Sequence, residues 1–298
     1  MKRFCLSLRA WVNLAAALLW VAGSVVARAQ DIEPRAYSNA PIGVNFLGAG
    51  YAQAQSDRYR TSSEILGYSH VFELAGQSAR FDVVLPYADL TGSVPVKGQS
   101  IGRATDGLTD PLVRLSVNLY GAPALSLKDF ADYKQDLIIG TSLTAAIPWG
   151  QYDNSQLINL GANRWFLMPA IGASQAIGQW RLELSQAVTV FADNKDFFGG
   201  NTRSQDPVYS TEGHVIYSFK SGVWVSGDAT YLTGGRSAIN GQWNNDFQEN
   251  WRFGATLAIP INKNNSIKMY ASRGLYARTG NGYDLIGIGW QYRWGGGL

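Results

Sequence analysis

The feature that most constrains this chain is a period of two. Successive side chains of a β-strand point to opposite faces, so apolar residues at every second position give the strand one apolar face. Stretches of this kind recur from residue 43 to the end. In the last of them Ile286, Ile288, Trp290, Tyr292 and Trp294 share one face, and Gly287, Gly289, Gln291 and Arg293 the other. Phe81, Val83, Leu85 and Tyr87 oppose Arg80 and Asp82, and Val113, Leu115, Val117 and Leu119 oppose Arg114, Ser116 and Asn118. Thr211, Gly213, Val215, Tyr217 and Phe219 oppose Glu212, His214 and Ser218; Trp251, Phe253, Ala255, Leu257 and Ile259 oppose Asn250, Arg252 and Thr256. The pattern predicts twelve strands, over 43–54, 62–75, 78–91, 108–121, 135–148, 162–176, 179–191, 207–220, 222–233, 249–260, 265–274 and 283–294. The stretch 179–191 is the least regular, because Gln186 falls on its apolar side; a bulge would explain that.

Strand length and loop order choose between architectures. A strand crosses a bilayer at a tilt with about 9–11 residues, whereas most strands in globular proteins have about 5–6. Short turns follow the second, sixth, eighth and tenth predicted strands. Longer polar, Gly-rich loops follow the odd-numbered ones, and the link 122–134 breaks the rule. Trp149, Trp165, Trp180, Trp251, Trp290 and Trp294 lie near strand ends, as interfacial girdles do. A soluble barrel or sandwich also alternates. Long strands, an even count and ordered loops favour an all-β fold: an up-and-down antiparallel transmembrane β-barrel of about 12 strands over 43–298, apolar outside and polar inside.

The first residues read as an export label. Lys2, Arg3 and Arg9 precede an apolar stretch over 10–26, and Ala27-Arg28-Ala29 is an A-x-A cleavage site, so 1–29 is predicted to be a cleaved signal peptide rather than an anchor. Removing Lys2, Arg3, Arg9 and Arg28 from the 25 basic residues leaves 21 against 22 acidic ones, which gives no reason to expect nucleic acid as a partner. The only cysteine, Cys5, leaves with the label, which excludes a disulfide framework and a lipidated cysteine. Beyond it no apolar run reaches the roughly 18 residues a membrane helix needs. Residues 30–42, with Pro34 and Pro41, form a segment that either hangs in the periplasm or folds into the lumen as a plug.

Four stretches carry a resemblance: DIEPRAYSNAPIGVNF (31–46), RFDVVLPYADLTG (80–92), DGLTDPLVRLSVNLYGAPAL (106–125) and GDATYLTGGRS (227–237). They resemble the transporter-like outer-membrane family named for the MetA pathway of phenol degradation. The resemblance implies an outer-membrane barrel of a Gram-negative bacterium, inserted by the barrel-assembly machinery and surrounded by outer-membrane lipid. It also implies passage of small hydrophobic or aromatic compounds. The sequence departs from the usual aromatic last residue of such barrels, since Gly295-Gly296-Gly297-Leu298 follow Trp294.

No motif for catalysis, cofactor or metal emerges. His214 and Glu212 share a face, with Asp228 on the neighbouring strand, but one strong nitrogen donor makes a polar lumen cluster a better reading than a metal site. His70, in line with Tyr68, Phe72 and Leu74, has no spacing that supplies a serine nucleophile and an oxyanion site. The lumen candidates are Arg80, Asp82, Arg114, Arg181, Glu183, Glu212, His214, Trp224, Asp228, Arg252, Lys268 and Arg293. Their mixed signs suit either ion pairs that brace the wall or a selectivity lining. Trp224 could stack a flat solute or fill space. The function expected is passive passage, without cofactor or covalent step. The alternatives are a closed structural or adhesion barrel working through its loops, and an outer-membrane lipid hydrolase.

Overall fold

The computed structural model describes residues 33–96, 99–278 and 282–298; the predicted signal peptide lies outside them. The strands are β1 (Val44–Gln55), β2 (Tyr59–Leu74), β3 (Gln77–Val96), β4 (Gln99–Leu108), β5 (Leu112–Tyr120), β6 (Leu137–Ala146), β7 (Phe166–Ile177), β8 (Trp180–Phe191) and β9 (Asn194–Phe197). There follow β10 (Asn201–Gln205), β11 (Val208–Ser218), β12 (Trp224–Gly234), β13 (Ser237–Ile239), β14 (Gln242–Trp243), β15 (Gln248–Pro260), β16 (Asn265–Ala277) and β17 (Asp284–Gly295).

Twelve of these close into one antiparallel barrel, in the order β1, β2, β3, β5, β6, β7, β8, β11, β12, β15, β16, β17 and back to β1. The closing seam runs from Val44 opposite Gly295 to Gln55 opposite Asp284 without a register shift. Both ends of the barrel sequence therefore meet at one rim, the turn end. Beyond Trp294 the glycines provide a sharp exit. Gly295 has φ +80°, and a Cβ there would stand 2.6 Å from the Gly43 carbonyl oxygen.

The wall is inside-out relative to a soluble protein. Leu184 and Leu275 on the outer surface are 62% and 67% exposed, whereas Glu212 and Asn250 on the inner surface are 1% and 0% exposed. Outward apolar side chains cost little only if lipid covers them, so the exposed band is the lipid-facing surface. Aromatic side chains ring its turn-end edge: Tyr292 lies 5.6 Å from Trp294, Trp294 6.2 Å from Tyr68, and Tyr217 4.8 Å from Trp180.

Several boundaries differ from the sequence expectation. The connection after β1 is only Ser56–Arg58, because pairing with β3 extends β2 back to Tyr59. The loop expected after residue 91 is a hairpin arm instead: β3 runs on to Val96 and pairs with β4. β4 and β5 act as one bent strand along β3, broken at Thr109–Pro111, where proline cannot supply a ladder hydrogen bond. Gln186 needs no bulge. β8 keeps constant register against both β7 and β11, and Gln186 is an exposed polar residue among Leu182, Leu184 and Val190. The long link after β5 is fastened at the turn end, where a short helical turn, Leu127–Phe130, is capped by Ser126.

At the opposite rim, the loop end, connection 147–165 turns into the barrel mouth. Leu157, Ile158 and Leu160 pack on Ala88 and Leu90 of the inner face of β3. Asp110 ties this loop down: one carboxylate oxygen accepts from the Gly150 N–H at 2.9 Å, the other from the Ala162 N–H at 2.7 Å. Burial nonetheless pushes the Asp110 carboxyl above its ordinary value. A four-stranded sheet, β14-β13-β10-β9, stands beside it; the Tyr152 hydroxyl donates to the Asp196 carbonyl at 3.0 Å and joins loop to sheet.

Wall and loop can be tested separately. Leu184→Arg places a charge on the lipid face and should lower unfolding stability in lipid by about 2–4 kcal/mol, read from urea titration of vesicle-inserted protein. Asp110→Ala removes the acceptor of two part-buried N–H groups, a loss of about 0.5–1.5 kcal/mol per hydrogen bond. The variant should gain protease cleavage within 147–165 while the barrel keeps its heat-dependent gel shift; unchanged loop resistance would mean that Asp110 is not the tie.

Candidate functional site

The lumen is the site, and its most distinctive occupant is the chain itself. Residues 33–42 enter from the turn end, where the Gly43 N–H donates to the Val71 carbonyl at 2.8 Å and the Ile42 N–H to the Leu125 carbonyl at 2.9 Å. The Asn39 side-chain amide donates to the Pro123 carbonyl at 3.0 Å. Local backbone hydrogen bonds, Ala36 N–H to Glu33 and Ser38 N–H to Arg35, both 3.1 Å, coil the segment into a compact turn. Arg35 takes a left-handed conformation, φ 68°.

Side chains of this turn reach across the bore. Glu33 pairs with Lys268 of β16 at 2.6 Å. The Arg35 N–H donates to one oxygen of Glu183 on β8 at 2.7 Å, and the Ser174 hydroxyl donates to the other at 2.8 Å. The Arg35 guanidinium stands 5.4 Å from the centre of the Trp224 ring on β12, a cation–π contact. Tyr37, 4% exposed, lies on β6 and β7 at Gly140 and Gly172. β6 is the fifth barrel strand and β16 the eleventh, half a circumference apart, so the segment spans the full width.

The attachments differ in strength. Glu33 keeps 68% of its side chain exposed and Lys268 31%, so their pair is a half-solvated latch. The Lys268 ammonium holds the Glu33 carboxyl down, from 4.5 to about 2. Tyr37 is anchored by packing: it forms one buried cluster with Ala122 and Ile138, and Ala36 packs against that cluster and against the one around Phe166 and Met168.

The other lumen candidates form separate groups around the wall. Arg80 and Asp82 pair with each other at 2.9 Å. The Arg114 Nε donates to the Thr144 hydroxyl at 3.3 Å. His214 Nδ1 lies 2.8 Å from Asp228, whose second oxygen accepts from the Thr256 hydroxyl at 3.1 Å; buried Glu212 stands 4.0 Å from His214 Nε2. Arg252 donates to the Tyr283 carbonyl at 3.1 Å and the Ser272 hydroxyl at 2.7 Å, and its guanidinium lies 3.8 Å from the Tyr283 ring centre. Among the described residues Arg181 Nε and Nη1, His214 Nε2 and the Ser185 and Ser226 hydroxyls are buried without a protein hydrogen bond; buried polar atoms of this kind are ordinarily met by protein or water.

Arg293 is a correction. It shares the parity of the lumen face but sits at the turn-end rim, exposed, with Nε donating to the Lys263 carbonyl at 2.6 Å. Its place at the strand end lets a long side chain reach the adjacent turn. His70 lies on the outer side of β2 with Nδ1 2.8 Å from the Asn45 amide oxygen. Among the described residues neither histidine is hydrogen-bonded to a serine, and no cluster of three His, Cys, Asp or Glu could hold a metal ion. Sequence pattern alone misses Glu33, Arg35 and Tyr37, because contacts between residues over a hundred positions apart have no local signature. The pairing of Gly140 with Gly172 could have suggested a crowded spot on the wall.

One solved structure shares this fold. An outer-membrane channel from Pseudomonas putida F1, solved by crystallography, superposes with a TM-score of 0.78 at 20% identity, covering 89% of this chain and 100% of that one. The transport unit of the autotransporter AIDA-I from Escherichia coli gives a TM-score of 0.49 at 8% identity, covering 94% and 98%. The translocator domain of NalP from Neisseria meningitidis gives 0.48 at 9%, covering 87% and 91%. Among curated proteins none is detectably similar in sequence. A family model matches residues 44–293, from the first residue of the seam almost to its last. The chain thus belongs to the family named for the MetA pathway of phenol degradation.

Proposed function

We propose that this protein is a passive outer-membrane channel for small hydrophobic or aromatic compounds, with residues 33–42 as an internal plug. The observation that carries the reading is the segment that spans the bore. A lumen that holds a turn of polypeptide on polar contacts is wider than one packed solid by wall side chains. With the segment displaced, the space it fills is large enough for a small ring. Family membership and the fold shared with an outer-membrane channel support the same conclusion. The route runs between two closures, the plug in the turn-end half and loop 147–165 at the mouth. Passage requires the plug to shift, and no covalent step or cofactor enters.

An occluded bore also suits a closed structural barrel, so the decisive experiment loosens the plug. Arg35→Ala combined with Lys268→Ala removes the cation–π contact and the ion pair, leaving the wall intact. Entry of a phenol-like probe into vesicles, corrected for protein-free vesicles, should rise about fivefold, the factor for about 1 kcal/mol. No protein-dependent entry by folded wild-type or variant protein would overturn the channel reading.

The latch also sets a pH limit. The Glu33 carboxyl titrates lower in the folded bore than in the unfolded chain, so its contribution is complete above 4.5 and is lost only as pH falls towards 2. Glu33→Gln should therefore raise entry at pH 7. In the wild type, acidification from pH 7 to 5 should not release this latch.

A further inference from the structure

Tyr37 occupies a slot built into the wall. Gly140 on β6 and Gly172 on β7 stand directly opposite each other in the sheet and both face the bore. A Cβ on Gly140 would come 2.3 Å from Cδ1 of Tyr37, and a Cβ on Gly172 would come 2.3 Å from Cε2. Those carbons are diametrically opposite in the ring, so the ring lies across both glycines where two side chains would otherwise project. Ile138 and Ala122, both fully buried, share the cluster and give the slot apolar sides. Asn118 and Ser142, both buried, edge it with polar groups, and Asn118 Oδ1 lies 2.9 Å from the position of a Gly140 Cβ. The Tyr37 hydroxyl is buried and directed towards Ser142, so the slot already seats a ring with its polar group at that edge.

The geometry points to the Gly140–Gly172 slot as a binding subsite for planar phenolic solutes, with Tyr37 as its resident competitor. The inference rests on the proposed channel function and names the solute class that the bore selects. A planar ring carrying one polar group matches the floor, sides and edge that already accept tyrosine. A saturated ring of the same size is puckered and thicker, and fits the floor less closely. Because Tyr37 belongs to the plug, a phenol that takes the slot displaces the plug as it binds. Solute recognition and opening become one event, with coupling set by competition for a single surface.

The test reads the slot without relying on transport. Ala36→Cys places a thiol beside Tyr37 in a mature chain that has no other, and a water-soluble maleimide reports its exposure. Labelling of folded Ala36→Cys protein should be slow. Phenol, binding on the order of 1 mM as a small ring with one polar group would, should accelerate it severalfold, and cyclohexanol should leave it unchanged. Adding Gly172→Ala sets a methyl group against the ring, so labelling should be fast without phenol and indifferent to it. An unchanged rate with phenol, or equal acceleration by cyclohexanol, would overturn the subsite. Vesicle entry tests the channel separately: phenol-specific exposure of the introduced thiol without entry by any variant would sink transport while leaving the slot a ring-binding site.

Discussion

Hydrocarbon offers no hydrogen bonds, so each backbone N–H and C=O in the bilayer-crossing part of this chain must find its partner on another strand. That requirement closes the sheet, and closure sets the facing of every wall residue. The seam pairs β1 with β17 over twelve residue pairs in one register, so every inner position on one side is locked to an inner position on the other. A slip of one residue in β11 would turn Glu212 towards lipid, and one in β8 would turn Leu184 towards the bore. The ladder is irregular at a few places, at Asn118–Tyr120 of β5 and Trp251–Arg252 of β15 as well as near two prolines. Pro111 marks the bend between β4 and β5, and at Pro169 the pairing of β7 with β8 skips two positions. The bend is where Asp110 replaces ladder hydrogen bonds with two side-chain bonds to loop 147–165.

A wall that is apolar outside leaves polar groups inside, and these cannot pack as a hydrophobic core. Some pair along the wall, as Arg80 does with Asp82 and His214 with Asp228. Others are satisfied by the segment that enters the bore: Glu183 divides its carboxylate between the Arg35 backbone and Ser174, and Lys268 receives Glu33. Some lumen charges thus find partners within the wall and others in the segment that enters the bore; under the proposed function the second group would be the one exposed when that segment shifts.

Much of the barrel is legible in the sequence because alternation is local. Each strand records its own facing, and eleven of the twelve strands lie within four residues of their predicted bounds at both ends. The exception, β3, is extended by a hairpin arm whose upper part needs no lipid-facing stripe. Parity misplaces Arg293 because it gives the face but not the height along the barrel, and at a rim the face matters less than reach. Local pattern cannot choose between the two positions of the plug for a similar reason. Its contacts with β6, β8, β12 and β16 depend on which strands share the lumen, a property of closure that no short stretch contains. Glycines on adjacent strands carry no sign of the ring that covers them, since absence of a side chain reads equally as a bend, a bulge or close approach.

The two parts of the molecule are held by forces of different cooperativity. The wall is a continuous ladder in which one strand cannot leave without exposing the backbone groups of both neighbours. The plug is held by one half-solvated ion pair, one hydrogen bond from the Arg35 N–H to Glu183, a cation–π contact, the packing of Tyr37 and Ala36, and hydrogen bonds of Asn39, Ile42 and Gly43 at the turn end. None of these is part of the wall ladder, so the proposed movement of the plug would leave the strand pairing intact. Of those contacts, the packing of Tyr37 and Ala36 is the apolar part. The charged contacts can be replaced by water or salt, which any pore admits. In the proposed channel, the place that suits a flat ring is where two opposed glycines let Tyr37 lie on the sheet.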